Sequence, residues 1–288
     1  MVDLANRDNA AEDAPMAKAV REFLGYLAER GASLNTIAAY RNDLKQLALF
    51  SEVNRAGEPC EVLDRSTLEK FVVGLKGRGY GDASIARKVA AARSFFVFLT
   101  ADGSFGVNPA DDLGLPKVAR MLPRPISAED VDQLLGQAAR RSTPAAKRDR
   151  AMLELLYATG MRVSELVSLD ISDINLDSKS PYVCCVGRRG DERTIPISGR
   201  ARQALVEYIE YGRSRLRGSD GRALFLNQRG GRLTRQGLWV ILKTYTNAAD
   251  LGADVTPHTL RHSFAAHMLG DGMPLSNVQQ ILGHSAAR

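Results

Sequence analysis

A stretch rich in proline and glycine interrupts the chain between residues 101 and 127. On either side of it, apolar residues recur at the three- and four-residue spacing of amphipathic helices, and inside it that spacing is lost. Prolines break helices, and 288 residues exceed the length of one typical domain, so the break predicts two domains. We expect a first domain at residues 15–105, a linker at 106–126 and a second domain at 127–288.

The segment before the break predicts a compact domain built only from helices. Its amphipathic stretches lie near residues 16–30, 34–50, 66–76 and 83–99. In the last stretch, Ile85 and Val89 are predicted to face the core, while Arg87 and Lys88 are predicted to point towards other faces. Residues 1–14 show no such spacing and are predicted to form a mobile tail.

The segment after the break predicts a mixed α/β domain that is mostly helical. Its predicted helices begin near Ser127, Ala146, Arg162, Gly199, Thr234 and Thr256. An apolar run at 182–186 and an alternating run at 193–197 flank a turn-like segment that contains Arg188 and Arg189. This order predicts a β-hairpin with a basic tip.

The charge balance favours a polyanionic partner without requiring one. Lys and Arg total 39 against 33 Asp and Glu, which gives a net charge of +6. The linker carries Lys117, Arg120 and Arg124 among its prolines, and a stiff basic linker can lie along a polyanion. A linker that is basic only to remain soluble explains the same residues.

Cysteine usage and hydropathy predict a cytoplasmic protein. The adjacent Cys184 and Cys185 lie in a strand-like run, where neighbouring side chains point to opposite faces, and the third cysteine is Cys60. We therefore expect reduced thiols. No run approaches the roughly 18 consecutive apolar residues of a membrane span, so neither a membrane partner nor export is expected.

A cationic cluster is predicted in the segment from Thr256 to Ser285. His258 and Arg261 stand three apart on one side of a predicted helix, and His284 follows a second helix. Two imidazoles and a guanidinium suit the oxygens of a phosphodiester. Taken alone, His258 and Arg261 are also explained by an ordinary solvated or hydrogen-bonded surface pair. His258 and His262 also have metal-ligand spacing, but no Cys, Asp or Glu stands near them in a suitable arrangement, so no metal is predicted.

A second arginine lies where a helix begins. The start of a helix carries partial positive charge, so Arg162 there is electrostatically unfavourable unless an anion or Glu165, three residues on, compensates it. We predict that Glu165 orients the Arg162 guanidinium. An ordinary surface ion pair is the alternative interpretation.

Taken together, several segments resemble the tyrosine recombinase (phage integrase) family, most closely its bacterial Xer-type members. The resemblance rests on YATGMRVSEL at 157–166, VGRRGDERTIP at 186–196, HTLRHSFAAH at 258–267 and LGHS at 282–285. The first domain is similar to the helical core-binding domain of that family. The resemblance implies a mainly α fold with a small β component, arranged as a C-shaped clamp on duplex DNA.

The family resemblance also implies the reaction and the residues that perform it. A tyrosine hydroxyl attacks a phosphodiester, which leaves a 3′-phosphotyrosyl link and a free 5′-hydroxyl. Arg162 and Arg261 would then bind the non-bridging oxygens, and His258 would handle the proton of the nucleophile or its hydrogen bonds. His284 would donate to a phosphoryl oxygen, and no metal or other cofactor is expected because arginines supply the positive charge.

The sequence departs from the family pattern in two places. The family nucleophile lies about two to three helical turns beyond the second histidine, whereas all eight tyrosines here precede His258 and the sequence ends at Arg288. The nucleophile and the final helix that such proteins pass to a neighbouring subunit are therefore expected beyond Arg288, and residues 1–288 are expected to bind DNA without cleaving it. At the hairpin, Arg188 occupies the position of the lysine that protonates the leaving oxygen.

The partners implied are duplex DNA and related recombinase subunits, as a tetramer on two DNA sites. The candidate DNA-contacting residues are Arg87, Lys88, Lys117, Arg120, Arg124 and Arg189. The expected role is Xer-like resolution of chromosome or plasmid dimers. A catalytically inactive DNA-binding protein that occupies or modulates recombination sites is the alternative, and a type IB topoisomerase fits the small helical first domain less well.

Overall fold

The fold is described from a computed structural model of the chain. The residues described are 15–54, 63–103, 106–111, 113–114, 124–177, 179–187, 190–216, 221–252 and 255–283. The chain divides into two compact units between Arg120 and Met121, and each unit is described by itself. Within those ranges, no helix combines the length and the apolar character that a membrane span requires.

The first unit has the helices that the sequence predicts. They are α1 (Pro15–Glu29), α2 (Leu34–Asn54), α3 (Arg65–Gly77) and α4 (Asp82–Ala101). Ser33 accepts a hydrogen bond from the Thr36 backbone at 3.2 Å and so caps the start of α2. The core is aromatic, with the Phe23 and Phe95 rings meeting edge to face at 5.6 Å between centroids.

The prediction that Lys88 points outward is wrong. Lys88 is 3% exposed, and its ammonium donates to Asp43 at 2.8 Å and to Gln46 at 2.9 Å. The position lies three residues after the buried Ile85 and therefore faces the core. Asp43 is itself buried and accepts a second hydrogen bond from Arg87, so Lys88 balances a buried carboxylate and its ammonium lies in the interior.

Part of the predicted linker belongs to the core of the first unit. Ala110 and Leu113 are buried there, and Arg93 on α4 donates to the Ala110 carbonyl at 2.9 Å and to the Asp111 carbonyl at 3.1 Å. Arg124, near the end of the predicted linker, is exposed. Lys117 and Arg120 lie outside the described residues.

The second unit is mostly helical, as predicted. Its helices are α5 (Ala128–Ala139), α6 (Pro144–Thr159), α7 (Val163–Ser168), α8 (Gly199–Tyr211), α9 (Arg235–Ala248), α10 (Pro257–Gly270) and α11 (Leu275–Leu282). Helix α5 begins where the sequence predicts, and Ser127 caps it, because the Asp130 backbone donates to the Ser127 hydroxyl at 3.0 Å. Helix α6 is the centre of this unit, since Met152, Leu153 and Leu156 are all fully buried.

A small antiparallel sheet packs beside these helices and contains the predicted hairpin. Its strands are β1 (Ile174–Asn175), β2 (Tyr182–Val186) and β3 (Glu192–Pro196), in the order β1-β2-β3. Cys185 is buried and pairs with Arg193, while Cys184 faces the other side, as the alternation predicts. Strand β1 has only two residues, which is too few for the alternation of a β-strand to be recognised in the sequence. The predicted fold class, mainly α with a small β component, is confirmed.

Candidate active site

Glu165 and Arg162 form the predicted pair at the start of α7. Arg162 is the cap residue of this helix, and its backbone N–H donates to Glu165 Oε2 at 2.7 Å. Its guanidinium Nη1 donates to Glu165 Oε1 at 2.9 Å. Glu165 is 3% exposed and Arg162 is 36% exposed, so a buried carboxylate holds a guanidinium whose outer edge reaches solvent.

A second arginine, Arg193 on β3, binds the same carboxylate. Its Nη1 donates to Glu165 Oε1 at 3.0 Å and its Nη2 to Glu165 Oε2 at 2.8 Å, which is the two-point geometry of an arginine–carboxylate pair. Burial alone would raise the pKa of Glu165. The hydrogen bonds from Arg193 and Arg162 outweigh burial, so that pKa lies below its ordinary value and Glu165 is ionised at neutral pH.

Arg261 on α10 is the third guanidinium of the site. It is 9% exposed, and it donates to the carbonyl oxygens of Gly160 at 2.6 Å and of Leu282 at 2.7 Å. Burial, together with the nearby charges of Arg162 and Arg193, lowers the pKa of Arg261 to about 10. The group therefore stays protonated at neutral pH.

The end of α11 brings the three arginines together. Three consecutive carbonyls there each accept one hydrogen bond: Ile281 from Arg193 Nε at 2.8 Å, Leu282 from Arg261, and Gly283 from Arg162 Nη2 at 3.3 Å. The last carbonyls of a helix carry its partial negative charge, which favours cations. These arginines come from three separate elements and converge on one helical turn.

Two glycines make this convergence possible. Gly160 ends α6 with a φ of 56°, in the left-handed region, and a Cβ there would lie 2.4 Å from the Phe264 ring. Gly283 ends α11 with a φ of 63°, and its Cβ would lie 2.8 Å from Arg193 Nη1. Any larger residue at either position would displace a side chain of the site.

His258 lies at the exposed edge of α10. The helix begins at Pro257 after Thr256, whose hydroxyl accepts from the Thr259 backbone at 3.1 Å. His258 is exposed, while Leu260 on the same helix is fully buried. The surface position leaves the imidazole accessible to a ligand from solvent.

Several predicted site residues cannot be placed. Arg188, Arg189 and His284 lie outside the described residues, so their roles stay predictions. Across the ranges that are described, no three His, Cys, Asp or Glu side chains group as metal ligands would. His262, which has metal-ligand spacing from His258, is half-buried on α10.

Sequence reasoning missed two contacts of this region. Arg193 was read only as a strand residue, although the alternation of β3 places it on the same face as the buried Ile195. Tyr157 on α6 and His267 on α10 form the other contact, between the hydroxyl and Nδ1 at 2.8 Å, which ties the two helices together. Burial raises the pKa of Tyr157, so this tyrosine is a neutral hydrogen-bonding group.

The arrangement suits an anion with several oxygen atoms. Two guanidiniums bind the Glu165 carboxylate, and the third, that of Arg261, lies close enough to be affected by its charge. Three positive charges against one negative charge leave an excess of positive charge around Arg162 and Arg261. Arginine presents planar pairs of N–H donors that match phosphate oxygens, and a preformed set of donors stabilises charge that develops during a reaction. The geometry therefore fits the binding of a phosphodiester and stabilisation of its pentavalent transition state.

Comparison with protein families and relatives agrees with this chemistry. Residues 124–288 match the phage integrase family, and residues 20–103 match the N-terminal SAM-like domain of phage integrases. The chain is 48% identical over 276 residues to the tyrosine recombinase XerC of Roseiflexus castenholzii, covering 94% of this chain and 86% of that relative. It is 40% identical over 269 residues to the tyrosine recombinase XerD of Listeria monocytogenes, covering 92% of this chain and 90% of the relative.

Solved structures with lower sequence identity share the fold. A post-cleavage complex of the XerH recombinase with a difH substrate matches with a TM-score of 0.73 at 24% identity, over 89% of this chain and 75% of that one. A lambda integrase dimer bound to a core site also gives 0.73, at 19% identity, over 93% of this chain and 94% of that one. With the family matches above, these findings establish that the chain belongs to the phage integrase family, as a Xer-type tyrosine recombinase.

Proposed function

We propose that this recombinase exchanges strands at specific sites in duplex DNA and resolves chromosome or plasmid dimers in the cytoplasm. It would act as a tetramer with identical or related subunits on two DNA sites. Both units of each chain would bind the duplex. The proposal is supported by the identity to XerC and XerD relatives over more than nine-tenths of the chain.

The observation that carries the proposal is the placement of two arginines on adjacent carbonyls. Arg261 donates to Leu282 and Arg162 donates to Gly283, so the two guanidiniums lie side by side. The Arg162 contact is long, at 3.3 Å, and a phosphate oxygen offers a stronger acceptor for the same N–H. We infer that the scissile phosphate binds here with its two non-bridging oxygens on the two arginines.

The reaction follows from this binding mode. A tyrosine oxygen attacks phosphorus, the bond from phosphorus to the 5′ oxygen breaks, and the negative charge grows on the non-bridging oxygens that the arginines hold. The leaving 5′ oxygen takes up a proton and becomes a hydroxyl, and we assign the supply of that proton to the hairpin at Arg188. The exposed His258 handles the tyrosine proton or its hydrogen bonds. His284 follows Gly283 directly in sequence and would donate to a phosphoryl oxygen.

The proposed DNA surface includes basic residues from both units. Arg87 on α4 is exposed and anchored on Asp43, which limits its side-chain freedom before DNA binds. Arg124 is exposed in the second unit. Lys117, Arg120 and Arg189 complete the proposed set, and Lys88 is left out because it is buried.

Residues 1–288 alone are proposed to bind DNA without a covalent step. All eight tyrosines precede His258, and the family nucleophile follows the second histidine. A nicked duplex incubated with this polypeptide should give no denaturant-resistant protein–DNA band. Such a band would mean that one of these tyrosines, or another residue, acts as nucleophile.

The binding proposal is tested by selecting duplexes from a random pool and measuring affinity against salt concentration. Arg162→Gln should weaken binding and reduce the salt slope by about 0.9, the value for one phosphate contact. Arg202→Gln is the control, because Arg202 is an exposed arginine on α8 that donates to the Leu176 carbonyl. An Arg162→Gln protein with unchanged affinity and slope would exclude phosphate binding at this site.

The contribution of the first unit is tested with the same selected duplex. A chain without residues 1–105 should bind it much more weakly, because the contacts of one unit are lost. Equal affinity of the shortened and the full chain would contradict a clamp formed by both units.

A further inference from the structure

Arg193 is the one arginine of this cluster that the reaction described above does not use. Its side chain is 10% exposed, whereas that of Arg162 is 36% exposed. Both ends of its guanidinium donate to Glu165, and Nε donates to Ile281. A side chain so enclosed presents little surface to DNA, so we look for its role in the groups that it binds.

The first group that Arg193 holds is the carboxylate that orients Arg162. Glu165 Oε1 accepts from Arg162 Nη1 and from Arg193 Nη1, and Oε2 accepts from the Arg162 backbone and from Arg193 Nη2. Each oxygen thus has one donor from each arginine. The two-point contact with Arg193 fixes the plane of the carboxylate, and that plane sets the direction in which the Arg162 guanidinium points.

The second group is the turn that ends α11. Arg193 Nε donates to the Ile281 carbonyl, next to the carbonyls that receive Arg261 and Arg162. Gly283 packs directly on the Arg193 guanidinium, since a Cβ at position 283 would lie 2.8 Å from Nη1. Arg193 therefore packs against this turn and donates a hydrogen bond to it. The residue that follows Gly283 in the chain is His284, which is predicted to be catalytic.

The third observation is that Arg193 lies on one strand of the β-hairpin. It lies on β3, three residues beyond Gly190 in the turn, and pairs with Cys185 on β2. The same turn carries Arg188 at the position of the family lysine. A rigid bond network from β3 to Glu165 and to α11 would fix the base of the hairpin relative to the phosphate-binding arginines.

We propose that Arg193 is a positioning residue that aligns the phosphate-binding arginines, by orienting Arg162 through Glu165 and by fixing the α11 turn through the Ile281 carbonyl. A lysine cannot replace it, because one ammonium group cannot bind both carboxylate oxygens in plane and reach a third acceptor. The inference rests on the proposed function, since Arg162 is taken to bind a DNA phosphate.

The test compares the effect of Arg162→Gln on duplex binding in three backgrounds: the unaltered chain, Arg193→Lys and Arg148→Lys. Arg148 is the matched control, because this buried arginine of α6 also donates two N–H groups to a carboxylate, Asp149, and one to a carbonyl, Leu226. Both lysine variants keep the charge. The probe is the duplex selected from the random pool, and thermal unfolding of each variant is recorded.

If Arg193 aligns Arg162, the two substitutions will not be additive. We expect Arg162→Gln to weaken binding about tenfold in the unaltered chain and in Arg148→Lys, the size of a charge-assisted hydrogen bond. In Arg193→Lys the same substitution should cost less than about threefold, because the misaligned Arg162 already contributes little. A tenfold loss in all three backgrounds would overturn the inference and leave the proposed function intact.

A second measurement needs no DNA. The Arg162 guanidinium resonance is identified by its loss from the ¹H–¹⁵N spectrum of Arg162→Gln. We expect it to be sharp in the unaltered chain and in Arg148→Lys, and broadened or shifted in Arg193→Lys. An unchanged Arg162 signal in a folded Arg193→Lys protein would overturn the inference. Failure of the unaltered chain to bind any duplex would instead refute the proposed function.

Discussion

Replacing Gly160 with alanine should destabilise the second unit and disturb the arginine cluster together. Gly160 has a φ of 56°, and an L-residue in this left-handed conformation costs about 1 kcal/mol. The new Cβ would also lie 2.4 Å from Phe264 Cδ1 and 2.9 Å from Leu282 Cδ2, both buried side chains. Forcing a methyl group into a packed core costs about 1–3 kcal/mol, so the sum is about 3 kcal/mol.

Thermal unfolding followed by circular dichroism measures this loss. For a domain of this size, about 3 kcal/mol corresponds to a fall in Tm of about 6–12 °C. The matched control is Gly272→Ala, also in the second unit. Gly272 has a φ of 86°, and no atom of the described residues lies within 4 Å of its would-be Cβ. Only the backbone cost of about 1 kcal/mol applies there, which is a fall of about 2–4 °C.

The two glycine variants should also differ in how well they bind duplex DNA. The Gly160 carbonyl accepts from Arg261 Nη1 at 2.6 Å, so a shift of this turn moves an arginine of the phosphate site. Gly160→Ala should therefore also weaken duplex binding, and Gly272→Ala should not. Equal losses of stability in the two variants would refute the argument that contact with Phe264, and not the backbone conformation alone, makes glycine necessary at position 160.

Two further predictions concern ionisable groups of the site. The pKa of Glu165 in the folded protein lies below its usual 4.5, so the stability that Glu165 contributes is fully present above about pH 4.5 and is lost as the pH falls through the lower folded value. Urea unfolding should thus show Glu165→Gln less stable than the unaltered chain at pH 7, with the gap closing at acid pH. Burial raises the pKa of Glu154 instead, so Glu154→Gln should not lower the free energy of unfolding at pH 7. Equal losses of stability in the Glu165→Gln and Glu154→Gln variants would contradict both pKa assignments. In a chain extended to include a tyrosine at the family position, Arg188→Lys should speed cleavage about tenfold, because lysine gives up a proton to the leaving 5′ oxygen more readily than arginine does. A substrate with a 5′-bridging sulfur should remove that difference, whereas equal rates on the oxygen substrate would mean that another group supplies the proton.

The parts of the site that the sequence predicts are those set by short-range geometry. Arg162 and Glu165 are three residues apart at a helix start, so their contact follows from helical spacing and cap chemistry. The separation of His258 from the buried Leu260 on α10 follows from the same spacing. The local pattern also predicts the hairpin, because an apolar run and an alternating run flank a short turn-like segment.

The long-range contacts of the site have no such local signal. Arg261 meets Gly160 across 101 residues of chain, and Arg162 meets Gly283 across 121. Each contact depends on how whole helices pack around α6. No single segment of the sequence carries a pattern from which that packing can be predicted. The family resemblance supplies which arginines act together, but it does not supply the carbonyls that hold them.

The mistaken prediction for Lys88 and the missed role of Arg193 have one physical cause. Neither residue was assigned to the interior, although Lys88 has the helical spacing of the core and Arg193 shares a strand face with the buried Ile195. A cation is stable at a buried position only with an anion beside it, and each of these has a buried carboxylate from another element, Asp43 or Glu165. A basic residue at core spacing therefore predicts a distant buried carboxylate. Applied to β3, this rule predicts a buried acidic partner for Arg193, and the structure shows that this partner is Glu165, the same carboxylate that binds Arg162.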